Sequence, residues 1–326
     1  MYQSKLTMKE TQKAIKIVKD TFERKLASAF NLDRVSAPLV VFSQDKINDD
    51  LGLVDSAVKF KAANFKDDLE IVQSLAKWKR MALKKYNYLV GEGLYTDMNA
   101  IRPQDVVDNT HSLYVDQWDW ELVITRENRT KEFLRNTVKT IVKLLNETKQ
   151  ELKEEFPILN NHFNDEVFFI SFDELKRKYP NLTLEERERE ITKKHLTVFI
   201  EGIGYEPDEV GNILRAPDYD DWHLNGDILI WSYLLDDAVE ITSMGIRVDE
   251  ISLLNQLKLA NRLDLIDSKY HQMVLNQSLP LTIGGGIGQS RICMLLLEKK
   301  HIAEVQASVW NEEELKYFKE NKINYL

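Results

Sequence analysis

The sequence predicts an α+β fold, an antiparallel β-sheet flanked by helices, built as one domain over residues 1–326. Three observations predict it. Strands in the last third are separated by hairpin turns as well as helices, which disfavours a doubly wound parallel sheet. The segment 114–124 largely alternates, as a strand with one packed and one polar face does. No Pro/Gly/Ser-rich linker, repeat or low-complexity tract divides the chain, and 43% hydrophobic residues suffice for a substantial core.

Taken in order, Ile15, Val18, Phe22 and Leu26 recur at spacings of three and four, with Lys16, Lys19, Glu23 and Lys25 on the other side. That pattern is a helix packing one face. Val35–Phe42 is β-branched and reads as a strand, which Pro38 confines to a sheet edge or a subunit boundary. Ser74–Tyr86 reads as a lysine-rich helix with Leu75, Trp78 and Leu83 on its packed side. In 114–124, Tyr114, Trp118, Trp120 and Leu122 point one way, and Gln117, Asp119 and Glu121 the other. Residues 129–155 form a long helix through Phe133, Val138, Ile141, Val142 and Leu145, and Ser171-x-x-Glu174 and Thr183-x-x-Glu186 are capping boxes opening two shorter helices. Strands at 195–202, 227–231 and 238–247 make an antiparallel meander, its turn near Leu235-Asp236-Asp237. A helix over 250–275, the cluster Gly284–Gly288 entering a helix to Leu297, and a helix near 312–320 complete the chain.

Composition excludes whole function classes. With 53 acidic against 44 basic residues the formal charge is -9, so the molecule as a whole repels polyanions. The single cysteine, Cys293, forms no internal disulfide, and no amino-terminal signal-peptide pattern is present, so a cytoplasmic location is expected. No apolar run approaches the roughly 18 residues of a membrane span.

Several segments carry candidate chemistry. In Ile283-Gly-Gly-Gly-Ile-Gly-Gln-Ser-Arg291, Gln289 stands where a Walker loop needs lysine and where a dinucleotide fingerprint needs its last glycine. The glycines would still let backbone approach a ligand, and the following helix N-terminus suits an anion or an adenine edge. Arg291, one turn in, favours a nucleotide over a purely structural turn. Arg102 precedes Pro103 and is held extended at a strand end; its guanidinium suits a phosphate, the alternative being a surface pairing with Asp105 or Glu92. Gln117 and Asp119 would floor a polar pocket. Ser74, Lys77, Lys79 and Arg80 form a locally basic spot or a solvated helix face. Among Asp218, Asp220, Asp221, Asp227, Asp236, Asp237 and Glu240, one or two could hold Mg2+ on a nucleotide, most of the others being turn residues. His111, His162, His195, His223, His271 and His301 show no zinc-ligand spacing, and Cys293 is expected in the core.

Jointly these segments resemble the ammonia-dependent asparagine synthetases (aspartate-ammonia ligases), relatives of class II aminoacyl-tRNA synthetases. The resemblance runs nearly end to end. It rests on Ser74-Leu-Ala-Lys-Trp-Lys-Arg80, Gly91-Glu-Gly-Leu-Tyr-Thr96, Tyr114-Val-Asp-Gln-Trp-Asp-Trp120, Arg215-Ala-Pro-Asp-Tyr-Asp-Asp-Trp222, Leu224-Asn-Gly-Asp227, Ser243-Met-Gly-Ile-Arg-Val248 and Gly284 to Arg291. Two departures stand out: the stretch between Trp222 and Leu224 is short, implying a trimmed surface loop, and Thr242 replaces an expected serine.

The resemblance implies a class II synthetase-like catalytic domain and a homodimer with the Pro38 strand at its interface. It implies ATP-dependent amidation of L-aspartate by ammonia through β-aspartyl-AMP, giving asparagine, AMP and pyrophosphate. Arg102 would meet the ATP α-phosphate, with Asp220, Gly286, Gly288 and Arg291 also at the nucleotide and Mg2+ held through Asp227 and Glu240. Lys79 and Arg247 would grip the α-carboxylate, with Ser74, Gln117, Asp119 and Ser243 around the rest of the substrate, and Asp49 would bind ammonium and take its proton. Two alternatives remain in view. An aspartyl-tRNA synthetase-like core would need an anticodon-binding domain and a basic surface, neither expected here, so no tRNA partner is. A catalytically silent sensor would have no chemical reason to keep Arg102, Lys79, Asp227, Glu240 and Arg291 together. Glutamine is not the expected nitrogen donor, because Cys293 shows no activating partner.

Overall fold

The computed structural model describes residues 2–49, 51, 56–160, 164–207, 211 and 213–326; Asp50 and His162 lie outside the described residues. Helix α1 (Met8–Phe30) opens on a Thr7/Glu10 capping box and closes at Asn31 with φ 51°. Of the strand expected over 35–42 only the end forms, as β2 (Val40–Phe42), and a separate strand, β1 (Leu32–Arg34), precedes it. Pro38, which has no N–H for a ladder, falls in the gap where the chain passes from one sheet to another. With β3 (Lys59–Phe60) and β4 (Leu69–Ile71), β2 forms a three-stranded antiparallel sheet.

Next come α2 (Ala76–Lys85), β5 (Gly93–Ile101), β6 (Tyr114–Val123) and α3 (Lys131–Glu155). Then follow β7 (Phe168–Ser171), α4 (Phe172–Lys178), α5 (Leu184–His195), β8 (Thr197–Glu201), β9 (Asp220–Ser232) and β10 (Asp237–Arg247). Both capping boxes read from the sequence close as expected, Ser171 with Glu174 and Thr183 with Glu186. Trp222 to Leu224 lie inside β9, so the chain crosses the short stretch as uninterrupted strand. The helix expected over 250–275 is broken into α6 (Glu250–Leu259) and α7 (Lys269–Leu275), with Asn261 at φ 55° between them. A left-handed residue cannot continue a helix. The chain ends with β11 (Thr282–Gly288), α8 (Gln289–Leu296) and α9 (Glu312–Asn321).

The main sheet has eight strands in the order β1-β5-β6-β11-β10-β9-β8-β7. Its inner pairings are antiparallel, as the hairpins require, while the outermost, β1 with β5 and β7 with β8, are parallel. Alternation along β6 then divides the two faces. Trp118 and Trp120 turn to one side, where Phe22 of α1 lies 4.7 Å from the Trp118 ring and Phe30 stacks on Trp120 at 5.3 Å. Val138, Ile141, Val142 and Leu145 of α3 and Ile292, Cys293 and Met294 of α8 fill the same core. The opposite face keeps its polar side chains.

Candidate active site

That polar face opens into a cleft of about 650 Å³ between α2, the loop after β5 and the ends of β9 to β11. Of the residues singled out in the sequence for a site role, all but Asp49 and Asp227 line it.

The lysine-rich helix is not a solvated face: Lys77, Lys79 and Arg80 are all buried. Arg80 donates to the carbonyls of Val248 (2.7 Å) and Pro280 (2.9 Å) and is structural. Lys77 pairs with Asp218 at 2.5 Å, and Asp218 also meets His271 Nε2 at 3.1 Å. Lys79 Nζ ion-pairs with Asp119, donates to Trp120 O (2.9 Å) and Gly285 O (3.2 Å), and lies 3.7 Å from Glu121 Oε2. Arg247 reaches the same point from β10. Its Nε and Nη2 fork onto Glu121 at 3.0 and 2.8 Å, and its Nη1 meets Asp220. Two cations are thus held side by side under the floor formed by Gln117 and Asp119.

The acids of this network titrate in opposite directions. Burial lifts the Asp119 carboxyl above its ordinary value despite Lys79. Burial also presses the Glu121 carboxyl upward, but the charges of Arg247 and Lys79 and the hydrogen bonds from Arg247 and Thr282 outweigh it and hold Glu121 below the usual range.

The glycine cluster leads into a helix, as expected. It is strand β11, paired on both sides with β6 and β10. A Cβ on Gly284 would stand 2.0 Å from Glu121 Oε2, and one on Gly286 2.2 Å from Gln117 Oε1. These glycines make room for side chains that cross the cleft floor. Gly288 is the N-cap of α8. From α8, Arg291 donates to Glu240 O (2.7 Å) and to His111 Nε2 (2.7 Å), and the other ring nitrogen of His111 meets Asp108 at 2.9 Å.

Arg102, just beyond β5, does not pair with Asp105 or Glu92. Among the described residues it makes no ion pair, and its Nε donates to Gln73 O at 3.2 Å. Gln73 Nε2 in turn donates to Asp49 O at 3.0 Å. Asp49 is buried in the wall of a second cavity of about 390 Å³, shared with Gln73 and Lys77 rather than in the main cleft. Its charge still reaches the cleft: the Tyr219 hydroxyl, raised well above its ordinary value first by burial, is raised further by Asp49 and Asp220. Thr242 keeps the hydroxyl expected of a serine and donates it to Gly286 O at 2.8 Å.

Asp227 faces Ser243 across the β9–β10 pair, two residues along β9 from the Leu229 that faces Glu240. Burial pushes its carboxyl up to about 6, Glu240 adding to the rise and Arg215 opposing it. Glu188 of α5 is pushed to about 8 by burial and then by the charges of Glu240 and Asp227. A crowd of carboxylates with too little positive charge suits a divalent cation. Among the described residues no three His, Cys, Asp or Glu side chains are placed to hold a metal by themselves. Two carboxylates supplemented by phosphate oxygens is the arrangement magnesium takes on a nucleotide, so the donor set fits.

Three residues went unassigned in the sequence. Glu121 holds Arg247, His111 holds Arg291, and Arg215 pairs with Asp227 at 2.6 Å while its Nη1 meets the Ser243 hydroxyl. Of the acidic positions read as turn residues, Asp218 and Asp221 are instead buried ion-pair partners of Lys77 and Arg129.

A largely antiparallel sheet with one face packed by helices and the other flooring a cleft lined by arginines is a class II aminoacyl-tRNA synthetase-like fold. Solved structures agree. Asparaginyl-tRNA synthetase of Entamoeba histolytica in complex with asparaginyl-adenylate superposes with a TM-score of 0.68 at 15% identity, over 92% of this chain and 66% of that one. The Pyrococcus horikoshii asparaginyl-tRNA synthetase with asparaginyl-adenylate gives 0.67 at 16% identity, over 92% and 68%. The chain belongs to the aspartate-ammonia ligase family, whose sequence profile matches residues 9–322. It is 53% identical to the aspartate–ammonia ligase of Clostridium tetani over 100% of this chain and 96% of that protein. It is 50% identical to that of Lactiplantibacillus plantarum over 95% and 97%.

Proposed function

We propose that the cleft joins ammonia to the β-carboxylate of L-aspartate, using ATP to make that carboxylate reactive. A carboxylate does not yield to ammonia until one oxygen becomes a leaving group. The β-carboxylate oxygen attacks the α-phosphorus and pyrophosphate leaves; ammonia then attacks the acyl carbon of β-aspartyl-AMP and AMP leaves, giving asparagine. The observation that carries the reading is the pairing of Lys79 and Arg247 beneath one polar floor, with Arg102 and Arg291 elsewhere on the same cleft wall. A small dicarboxylate and a nucleotide are what such a cleft receives.

Lys79 and Arg247 grip the α-carboxylate, which leaves the β-carboxylate to point at the nucleotide. Asp119, Gln117, Ser243 and Ser74 receive the amino group and fix its orientation. Arg102 meets the α-phosphate, where charge develops, and Asp220, Gly286, Gly288 and Arg291 complete the nucleotide contacts. Magnesium, when bound, neutralises phosphate charge, and Asp227 and Glu240 would hold it. Asp49, linked to Arg102 through Gln73, binds ammonium and takes the proton that makes it a nucleophile. The nitrogen donor is free ammonia: the Cys293 thiol is buried and pushed up to about 12, so it offers no thiolate to open glutamine. Two such chains act as a dimer, in a cytoplasmic setting where these substrates are at hand.

One assay tests the reading. With ATP, magnesium, L-aspartate and ammonium, asparagine, AMP and pyrophosphate should appear in equal amounts, and glutamine should replace ammonium poorly. ADP as the nucleotide product, or transfer of aspartate to added tRNA without asparagine, would sink it.

A further inference from the structure

Lys79 and Arg247 are both cationic, both buried, and both wanted at one carboxylate. Held together in a low-dielectric floor they repel each other strongly unless an anion stands between them. Asp119 and Asp220 are poor candidates for a permanent counter-ion, because each lines the cleft and competes with substrate for the same donors. Glu121 differs from them. It is fully buried, it does not line the cleft, and it lies behind both cations.

Its carboxylate is bound at every side. Oε2 accepts from Arg247 Nη2 at 2.8 Å and lies 3.7 Å from Lys79 Nζ; Oε1 accepts from Arg247 Nε at 3.0 Å and from Thr282 Oγ1 at 2.6 Å. By taking the Nε–Nη2 edge of the guanidinium, Glu121 fixes the plane of Arg247 and turns its outer Nη hydrogens toward Asp220 and the cleft. Gly284, directly across the β6–β11 pair, supplies the space this carboxylate occupies.

We infer that Glu121 is the positioning residue of the α-carboxylate subsite: it aims Arg247 and Lys79 at the substrate without touching it, and so sets the preference for an amino acid that carries an α-carboxylate. The inference rests on the proposed orientation of aspartate. Glu121→Gln keeps the shape and removes the charge and one acceptor. The KM for L-aspartate in aspartate-dependent ATP–pyrophosphate exchange should rise roughly ten- to a hundredfold, the range for weakening a hydrogen bond to a charged group. The KM for ATP should stay put, and so should the inhibition constant of β-alanine, the analogue without an α-carboxylate.

A parallel rise in all three constants would mark Glu121 as merely structural, and an unchanged KM for aspartate would equally overturn the inference. If Glu121→Gln does not fold, Thr282→Val removes the 2.6 Å donor to Oε1 and should move the aspartate KM the same way by a smaller factor, again sparing ATP and β-alanine. No selective movement there also overturns it. Failure of the unmodified protein to catalyse aspartate-dependent exchange is a different result, and refutes the proposed function.

Discussion

At the scale of single residues, two side chains divide the proposed reaction into its halves. Arg102 serves the first half: Arg102→Ala should lower aspartate-dependent pyrophosphate exchange by roughly two to three orders of magnitude, the range for removing one transition-state donor. Near-normal exchange would refute its place on the α-phosphate. Asp49 serves the second half, so Asp49→Asn should leave exchange intact and depress asparagine formation from ammonium; full ammonia-dependent turnover would exclude it. The sequence made Gln117 and Asp119 legible because strand alternation puts them on one face, with Asp119 flanked by Trp118 and Trp120. Glu121 sits in the same alternation and was passed over, since its partners come from β10, β11 and α2, and no spacing within β6 encodes them. His111 and Arg215 were missed for the same reason: the signal that marks them is an ion pair or hydrogen bond across the fold.

At the scale of elements, local signals were read correctly where the physics is local. Both capping boxes close on their own turns. The glycine run is legible only in part, because a glycine tells that space is short without telling what fills it. The structure turns that into a contrast between neighbours in β11. A Cβ on Gly285 would stand 2.5 Å from Met244 Cβ and 2.8 Å from Ser243 O, atoms that cannot give way, so Gly285→Ala should destabilise the fold by about 1–3 kcal/mol or more. On Gly286 it would meet the far end of Gln117, which can swing, so Gly286→Ala should fold and lose aspartate affinity. Denaturation midpoints and substrate KM values distinguish the two. The carboxy-terminal helix supplies a pH prediction. His301 accepts the Ala303 N–H at Nδ1 (3.1 Å) and meets Glu314 of α9 at Nε2 (2.9 Å), so a second ring proton would face a donor. Burial drops its pKa from 6.5 to about 4. The unfolded chain therefore takes up this proton first as pH falls, and stability declines between about 6.5 and 4 by up to roughly 3 kcal/mol. His301→Gln should flatten that part of the profile in a thermal melt; an unaltered slope would show that other groups cause it.

At the scale of the whole molecule, a net charge of -9 still leaves room for cations buried at the cleft, of which Lys77, Lys79 and Arg247 are each held against a buried acid. Lys77, Lys79, Arg80, Arg215 and Arg247 are buried around the cleft. A polyanion meets the acidic exterior, whereas a small dicarboxylate can enter and reach those cations. For the proposed dimer, the sheet's other end offers a boundary. β1 is the outermost strand, three residues long, with one edge given to β5 and the other, among the described residues, given to no strand. Beside it, the turn after α2 is tied to the end of α1 by Asn31 Nδ2 donating to Gly91 O at 3.1 Å. Leu89 and Val90 on that turn are 67% and 61% exposed, and Leu39, just past Pro38, is 52% exposed. Large apolar side chains flanking an open strand edge are an association surface unless something covers them. A second copy covers them in the proposed dimer, and Pro38 limits how far the edge can pair. Sedimentation at micromolar concentration should give about twice the 38.1 kDa chain mass. Replacing Leu89 and Val90 together by Asp should return the single-chain mass with the circular dichroism spectrum kept. A single-chain mass for the unmodified protein would refute the dimer, and a double variant that still sediments as a dimer would move the interface elsewhere.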